Sequence, residues 1–315
     1  YIGILFLGFT TRDSRLLHLS FSTVSEIAKL ANPLYLKIAF IFVLVGYSTK
    51  MGLFPMHTVT VDAHTVAPPP ISAFISTTLM NVGFLAIFRI YELFSATTVL
   101  PFMNHTLLIS GFLSLLISAG YMLKAKHNKR MLAYSSLENM GIVAVALGTG
   151  GIGYYAAILH IVLHSFAKAG LFYQVGQSHK VLGTYNLDES GNYMNLYPAG
   201  ATALLLGLLC ILAIPPSGMF ISELLMFKAM VAKGNYLLMI LAAMLLIYVL
   251  YALLTRVLHI VFSQPRSPAA GIREPVSPWQ TVSQFLLFAA VILICFTQPG
   301  FFRDIVNEII KNLPG

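Results

Sequence analysis

The sequence predicts an all-α, polytopic transmembrane helical bundle, and three observations lead there: long apolar runs, sparse charge, and two runs interrupted by glycine and proline. Of the 315 residues, 57% are hydrophobic and 10% charged, with a mean hydropathy of +0.81. A water-soluble domain needs far more polar surface to cover its core. Apolar segments of spanning length lie at about 34–56, 70–94, 100–122, 131–149, 153–177, 198–231, 235–263 and 279–298, after a partial one at 1–10. The alternating ten-residue strands of a membrane barrel are excluded, because these runs are too long and too uniformly apolar. The chain opens on Tyr1 inside an apolar stretch, without an initiator methionine or signal peptide, so truncation at the N-terminus is expected.

The net charge of +8 does not imply nucleic acid, since the basic residues form no stripe with interleaved aromatics. They sit mostly in short loops. Lys124, Lys126, Lys129 and Arg130 crowd one connection, as in cytoplasmic loops under the positive-inside rule, and anionic lipid is the partner their charge fits. Counting helices from that loop puts 178–197 and 264–278 on the same side and 11–33 on the other. The latter, with Arg12, Arg15 and Lys29 against Asp13 and Glu26, is expected to lie in the interface, as is the amphipathic tail 300–315. The two cysteines, Cys210 and Cys295, sit in hydrophobic runs without CxxC spacing and are expected to be packing residues.

Both helix breaks stand beside a charge. Gly52 and Pro55 follow Lys50, and Pro215-Pro216-Ser217-Gly218 precedes Glu223. A proline frees a carbonyl and removes an amide, which is tolerated at membrane depth only where protein or a wet cavity satisfies the freed groups. Paired interrupted helices also point to an inverted-repeat transporter with its ion site at the breaks.

Six ionisable side chains lie within apolar runs: Lys50, Glu138, His160, His164, Lys168 and Glu223. A central charge facing lipid costs about 2.5–3.5 kcal/mol, so six would cost on the order of 15 kcal/mol, and these residues are expected to face one another or water. His160, His164 and Lys168 recur every four residues, on one helical face. Imidazole titrates near neutral pH and burial brings lysine toward it, so such a stripe can pass protons. An i, i+4 histidine pair also fits zinc, but no HExxH glutamate accompanies it, and neither metal nor cofactor is expected. Glu138 has a plainer reading as a partner for a lysine of the basic loop, and Lys129 as a positive-inside anchor. His57 and His64, with Asp62, are read as solvated loop polarity.

The stretch Gly46-Tyr47-Ser48-Thr49-Lys50-Met51-Gly52-Leu53-Phe54-Pro55-Met56-His57-Thr58, with Asp62-Ala63-His64 and Ala67-Pro68 after it, resembles the signature of proton-translocating subunits of complex I, Mrp antiporters and membrane-bound hydrogenases. Lys129-Arg130-Met131-Leu132-Ala133-Tyr134-Ser135-Ser136-Leu137-Glu138-Asn139-Met140-Gly141 looks most like the hydrogenase-4 and formate hydrogenlyase branch. The stripe 160–168 and Pro215-Pro216-Ser217-Gly218-Met219-Phe220-Ile221-Ser222-Glu223 resemble the family's two later motifs.

The resemblance implies two inverted five-helix repeats, here 1–95 as the remainder of the first, 96–265 as the second, and 266–315 as a terminal span with its tail. It implies a proton pathway through Lys50, Lys129, Glu138, His160, His164, Lys168 and Glu223, with no catalytic residue and no cofactor of the chain's own. It further implies a multi-pass subunit of the cytoplasmic (inner) membrane that moves protons, or sodium, beside other membrane and peripheral subunits of a redox complex. A stand-alone or Mrp-type antiporter and a non-pumping scaffold are the alternatives. The departures are the family's upstream glutamate partner of Lys50, absent from this chain, Val59-Thr60-Val61-Asp62 in place of the usual tryptophan-leucine-proline-aspartate, and, more mildly, Ser76 where complex I relatives often hold histidine or lysine and the hydrogenase branch also has serine.

Overall fold

A computed structural model of the chain describes residues 1–11, 20–267 and 274–314. Arg12, Asp13 and Arg15 of the expected interfacial stretch lie outside the described residues. In chain order the helices are α1 (Ile2–Thr11), α2 (Phe21–Ala28), α3 (Pro33–Met51), α4 (His57–Val66), α5 (Pro69–Phe74), α6 (Met80–Phe94), α7 (Leu100–Met122) and α8 (Asn128–Thr149). There follow α9 (Ile152–Leu182), α10 (Tyr193–Leu196), α11 (Pro198–Ile211), α12 (Gly218–Ala232), α13 (Tyr236–Phe262), α14 (Trp279–Phe296) and α15 (Gly300–Ile310). A π-helical turn, Ile75–Leu79, joins α5 and α6 into one rod, Pro69–Phe94. Among the described residues, seven helices are long and apolar enough to cross a membrane. The run 198–231 is divided at its predicted break into a pair of helices, α11 and α12.

Both breaks fall where glycine and proline stand, and both are stitched by hydroxyls. Gly52 ends α3 in the left-handed region at φ 73°, a conformation glycine adopts freely, and its amide donates to the Ser48 carbonyl. Beyond it the Phe54 amide donates to Ser114 Oγ at 2.9 Å, the Ser110 hydroxyl donates to the Phe54 carbonyl, and Thr60 Oγ1 donates to the Thr49 carbonyl at 2.7 Å. In the second break Ser217 Oγ donates to the Cys210 carbonyl at 3.0 Å and accepts from the Met219 amide at 3.2 Å, capping α12.

α8 is the centre of the bundle. Every residue of it except Arg130 is buried, and it packs against α4, α7, α9 and α12. By contrast α13 and α14 turn most of their apolar surface outward, as lipid-facing helices do. The buried apolar side chains form two clusters, and helices pass from one to the other at mid-length. α7 gives Leu115 to the first and Ala119 to the second; α8 gives Met140 to the first and Leu137 to the second; α12 gives Met226 to the first and Met219 to the second. The passages carry Ser118 on α7, Glu138 and Asn139 on α8, His160 on α9, and Ser222 and Glu223 on α12. A polar layer therefore crosses the bundle between two apolar slabs.

The three loops expected on one side meet at one end. The 123–127 connection and the 183–192 loop are joined by an antiparallel bridge between His127 and Asn186, and Ser263 and Glu274 dock to the same end, Asn192 N donating to Ser263 O at 2.7 Å and Glu274 N donating to Lys180 O at 2.7 Å. α2 lies beside the 95–96 turn and Asn312, at the opposite end. In α15, Val306 is buried while Phe301, Ile305 and Ile309 are exposed, so the tail is tied down along one face only.

Replacing Ser114 by alanine would leave the Phe54 amide unpaired at the first break. Ser114→Ala should cost about 1–3 kcal/mol, read as a lower Tm of the detergent-solubilised protein. An unchanged Tm would show that α7 does not hold the break together.

Candidate functional site

The polar layer is built around the stripe of α9. His160, His164 and Lys168 are all fully buried, as their four-residue spacing predicts for a helix wrapped on that face. Lys168 Nζ donates to the Leu132 carbonyl of α8 at 2.8 Å and stands 6.0 Å from the centre of the Phe172 ring. The same carbonyl receives the Ser136 hydroxyl at 3.3 Å, and Ser136 Oγ meets Ser76 Oγ at 3.0 Å. Ser76, in the π turn, is fully buried and adds a small hydroxyl to the same polar line.

Nearer the start of α9, His160 links three helices. Its Nε2 meets Asn139 Oδ1 at 3.0 Å and its Nδ1 meets Ser222 Oγ of α12 at 2.9 Å. Asn139 Nδ2 donates to Glu138 Oε2 at 2.6 Å and to the Ser135 carbonyl at 2.7 Å. An amide so placed offers His160 only its oxygen, an acceptor, so Nε2 carries a proton. A neutral ring then leaves Nδ1 to accept the Ser222 hydroxyl. If that hydroxyl instead donates to the Met219 carbonyl, which lies 2.7 Å away, Nδ1 must be protonated too and the ring is an imidazolium. Reorienting one hydroxyl thus goes with gain or loss of a proton.

Glu138 is buried. It pairs with no lysine of the basic loop; its charge interacts with those of Lys168 and Glu223 across the layer. Glu223 itself is partly exposed, on the first turns of α12 behind the second break. Lys129 is not a solvated anchor. It is buried, its Nζ donates to the Ala67 carbonyl in the gap between α4 and α5 at 2.7 Å, and it lies 4.9 Å from the Tyr185 ring centre.

Lys50 departs from expectation: it does not face the bundle interior. Its side chain is exposed and makes no hydrogen bond or ion pair among the described residues. The reason is helical phase. The buried stripe of α3 runs through Leu36, Phe40, Leu44, Ser48 and Met51. Lys50 lies two residues past Ser48, about 200° around the helix.

His64 departs the other way. Read from sequence as solvated, it sits on α4, is fully buried, and stacks on Phe172 with ring centres 4.9 Å apart. The charges of Lys168 and Lys129 both act on it. The missed signal is the spacing of Thr60, Val61 and His64, which is that of one buried helical face. Among the described residues, both ring nitrogens of His64 and of His164 lack a hydrogen-bond partner. Buried imidazoles of this kind call for water between them.

Cys210 and Cys295 are free thiols. Among the described residues, no group of three or more His, Cys, Asp or Glu side chains converges as metal ligands would. The chemistry this arrangement can perform is proton exchange and charge coupling among His, Lys and Glu side chains.

Residues 3–249 match the family described as "NADH:quinone oxidoreductase/Mrp antiporter, TM". Among curated relatives, a hydrogenase-4 component F homolog of Methylacidiphilum infernorum is 37% identical over 259 residues, covering 82% of this chain and 54% of that one. Hydrogenase-4 component B of Escherichia coli is 32% identical over 217 residues, 65% of this chain and 32% of that one. The chain thus spans about half the length, or less, of these relatives. Among solved structures, a chain of the Mrp complex from Dietzia superposes with a TM-score of 0.84 at 16% identity, over 98% of this chain and 65% of that one. A chain of respiratory complex I from Thermus thermophilus gives 0.74 at 22% identity, over 96% and 66%. With its bundle of apolar spans, its two stitched breaks and a sequence match over most of its length, the chain is a multi-pass membrane protein belonging to the NADH:quinone oxidoreductase/Mrp antiporter transmembrane family.

Proposed function

We propose that this chain translocates protons, with sodium as the other candidate ion, as a subunit of a hydrogenase-4-like or complex I-like respiratory complex in the cytoplasmic membrane. The redox chemistry belongs to other membrane and peripheral subunits. In this reading 1–95 is the remainder of one inverted repeat, 96–265 the second, and 266–315 a terminal span and tail. The observation that carries it is a buried polar series that starts between the two apolar clusters at Glu138 and His160, with Glu223 at its margin, and continues among the residues of the second cluster to Lys168 and Lys129.

The mechanism follows from how these charges are held. Lys168 rests on a main-chain carbonyl and Glu138 on an amide, while their charges act on each other without a contact ion pair. Protonating Glu138 withdraws a negative charge from Lys168 and favours release of the lysine proton; the reverse step reloads it. His160 and His164 carry protons along α9 between these groups, with His64 and bound water completing the line. Lys50, on an uncovered face beside the first break, joins the route where this chain meets a neighbouring segment or subunit.

Lys168→Met and Glu138→Gln should each slow coupled proton movement by at least about a hundredfold, measured in membrane vesicles of the assembled complex. Rates within twofold of the parent in both variants would leave a non-pumping scaffold as the better account. Replacing sodium by choline in the same vesicles separates the two ions. Proton movement that continues without sodium argues for protons, and movement that stops argues for exchange.

Asn139→Leu tests the link between Glu138 and His160. It keeps the branched shape of the side chain, removes all three amide hydrogen bonds, and should reduce translocation while the complex still assembles. Parental rates in the Asn139→Leu variant would cut this amide out of the route.

A further inference from the structure

The His127 bridge does more than join two loops. It consists of Asn128 N donating to Tyr185 O at 2.8 Å and Leu187 N donating to Lys126 O at 2.8 Å, so it sets Asn186 opposite His127 and holds Tyr185 beside it. On the other side, the left-handed turn at Gly183 ends α9 and folds the chain back over His179. The result is a three-ring stack. Tyr185 lies 3.8 Å from His179, nearly parallel at 8°, and 5.2 Å from His127 at 25°. Lys129 faces the same tyrosine ring.

Both histidines are half-buried, and among the described residues the Nδ1 atom of each is shut from solvent without a hydrogen-bond partner. An open cavity lined by Pro69, Pro70, Gly176, His179, Tyr185 and Gln284 reaches the stack from the surface. Pro69 stands two residues from the Ala67 carbonyl that Lys129 holds. The cavity thus touches His179 and Tyr185, and Lys129 stands over the same tyrosine ring.

We infer that the stack of His179, Tyr185 and His127 is the proton-collecting gate of the polar layer, at which the two imidazoles exchange protons between water in this cavity and Lys129. The inference rests on the proton-translocating reading above. Each step moves one proton: a hydrated proton in the cavity protonates a neutral imidazole and leaves water behind, and the imidazolium passes the proton to a neutral Lys129 Nζ and returns to neutral. Tyr185 is a positioning residue that holds both imidazoles and the ammonium around one ring.

The surroundings suit this exchange. Burial, with Lys129, His179 and Arg130 nearby, holds His127 below the ordinary histidine value, so its ring is neutral at neutral pH and ready to accept. The other charges at this end are largely compensated. Arg130 pairs with Asp62 of α4 at 3.2 Å, Lys180 with Glu274 at 3.7 Å, and Asp188 with Arg266 at 3.0 Å. Glu189 is held by Thr184 and Asn186, and Lys124 and Lys126 stand in the loop before His127.

The test uses the full-length protein in its membrane complex, with proton uptake into vesicles followed across pH. A collecting gate matters most when protons are scarce. The His127→Gln, His179→Gln double variant should run within about twofold of the parent near pH 6 but fall about tenfold by pH 8.5, with recovery on adding imidazole. Tyr185→Leu should shift the profile in the same direction, and Tyr185→Phe should restore it. A double variant whose profile superimposes on the parent would overturn the gate. Lys168→Met, run in parallel, separates the two failures. If it stops uptake while the double variant does not, the gate alone is wrong; if it too leaves uptake intact, the translocation reading falls and takes the gate with it.

Discussion

The constraint on which the rest of the structure depends is the treatment of two buried ammonium groups. Lys129 and Lys168 each donate to a main-chain carbonyl, Ala67 and Leu132, and among the described residues neither makes an ion pair with a carboxylate. The ion pairs among the described residues all lie at the surface. A lysine in contact with a buried carboxylate is held as a charged pair, and removing its proton strands the partner's charge. A lysine on a carbonyl is stabilised less and depends more on charges farther away. That is what makes a buried lysine switchable, because a proton arriving on Glu138 changes the field at Lys168 without a contact having to break.

Such a layer could not exist in a bundle of uninterrupted apolar helices. The breaks, and the small hydroxyls that stitch them, make room for it. Ser110, Ser114 and Thr60 satisfy the backbone of the first break from inside the protein, and Ser217 does so for the second. The gap between α4 and α5 supplies the carbonyl that holds Lys129. Close helix contact does the remainder. A methyl group on Gly83 of α6 would stand 2.5 Å from the Met51 amide, so only glycine lets α6 lie against the end of α3.

The bundle, the breaks and the α9 stripe are legible in the sequence because each is a local pattern: an apolar run of spanning length, a proline beside a charge, a four-residue repeat. Membrane solvent makes these patterns unusually readable, since a charge at depth has so few permitted surroundings. Where inference fails, the deciding information is not local. An apolar span argues for an interior Lys50, but the direction of that side chain depends on which face of α3 meets α6. Asp62 and two threonines around His64 argue for solvent, although a helix can be polar on one side and bury a histidine on the other. The stack at Tyr185 is invisible in sequence, since its rings come from three segments joined by a backbone bridge.

The same contrast bears on how the layer could conduct in one sense at a time. His160 makes two defined hydrogen bonds, while His164, one turn along the same face, makes none among the described residues. A fully bonded ring has its proton positions set by its neighbours, and an unbonded one depends on water, whose arrangement can change. In the proposed route the stripe of α9 therefore alternates a fixed relay with an adjustable one before reaching Lys168. A proton on that route would pass only when water bridges His164 to its neighbours, and the charge on Lys168 acts on that ring.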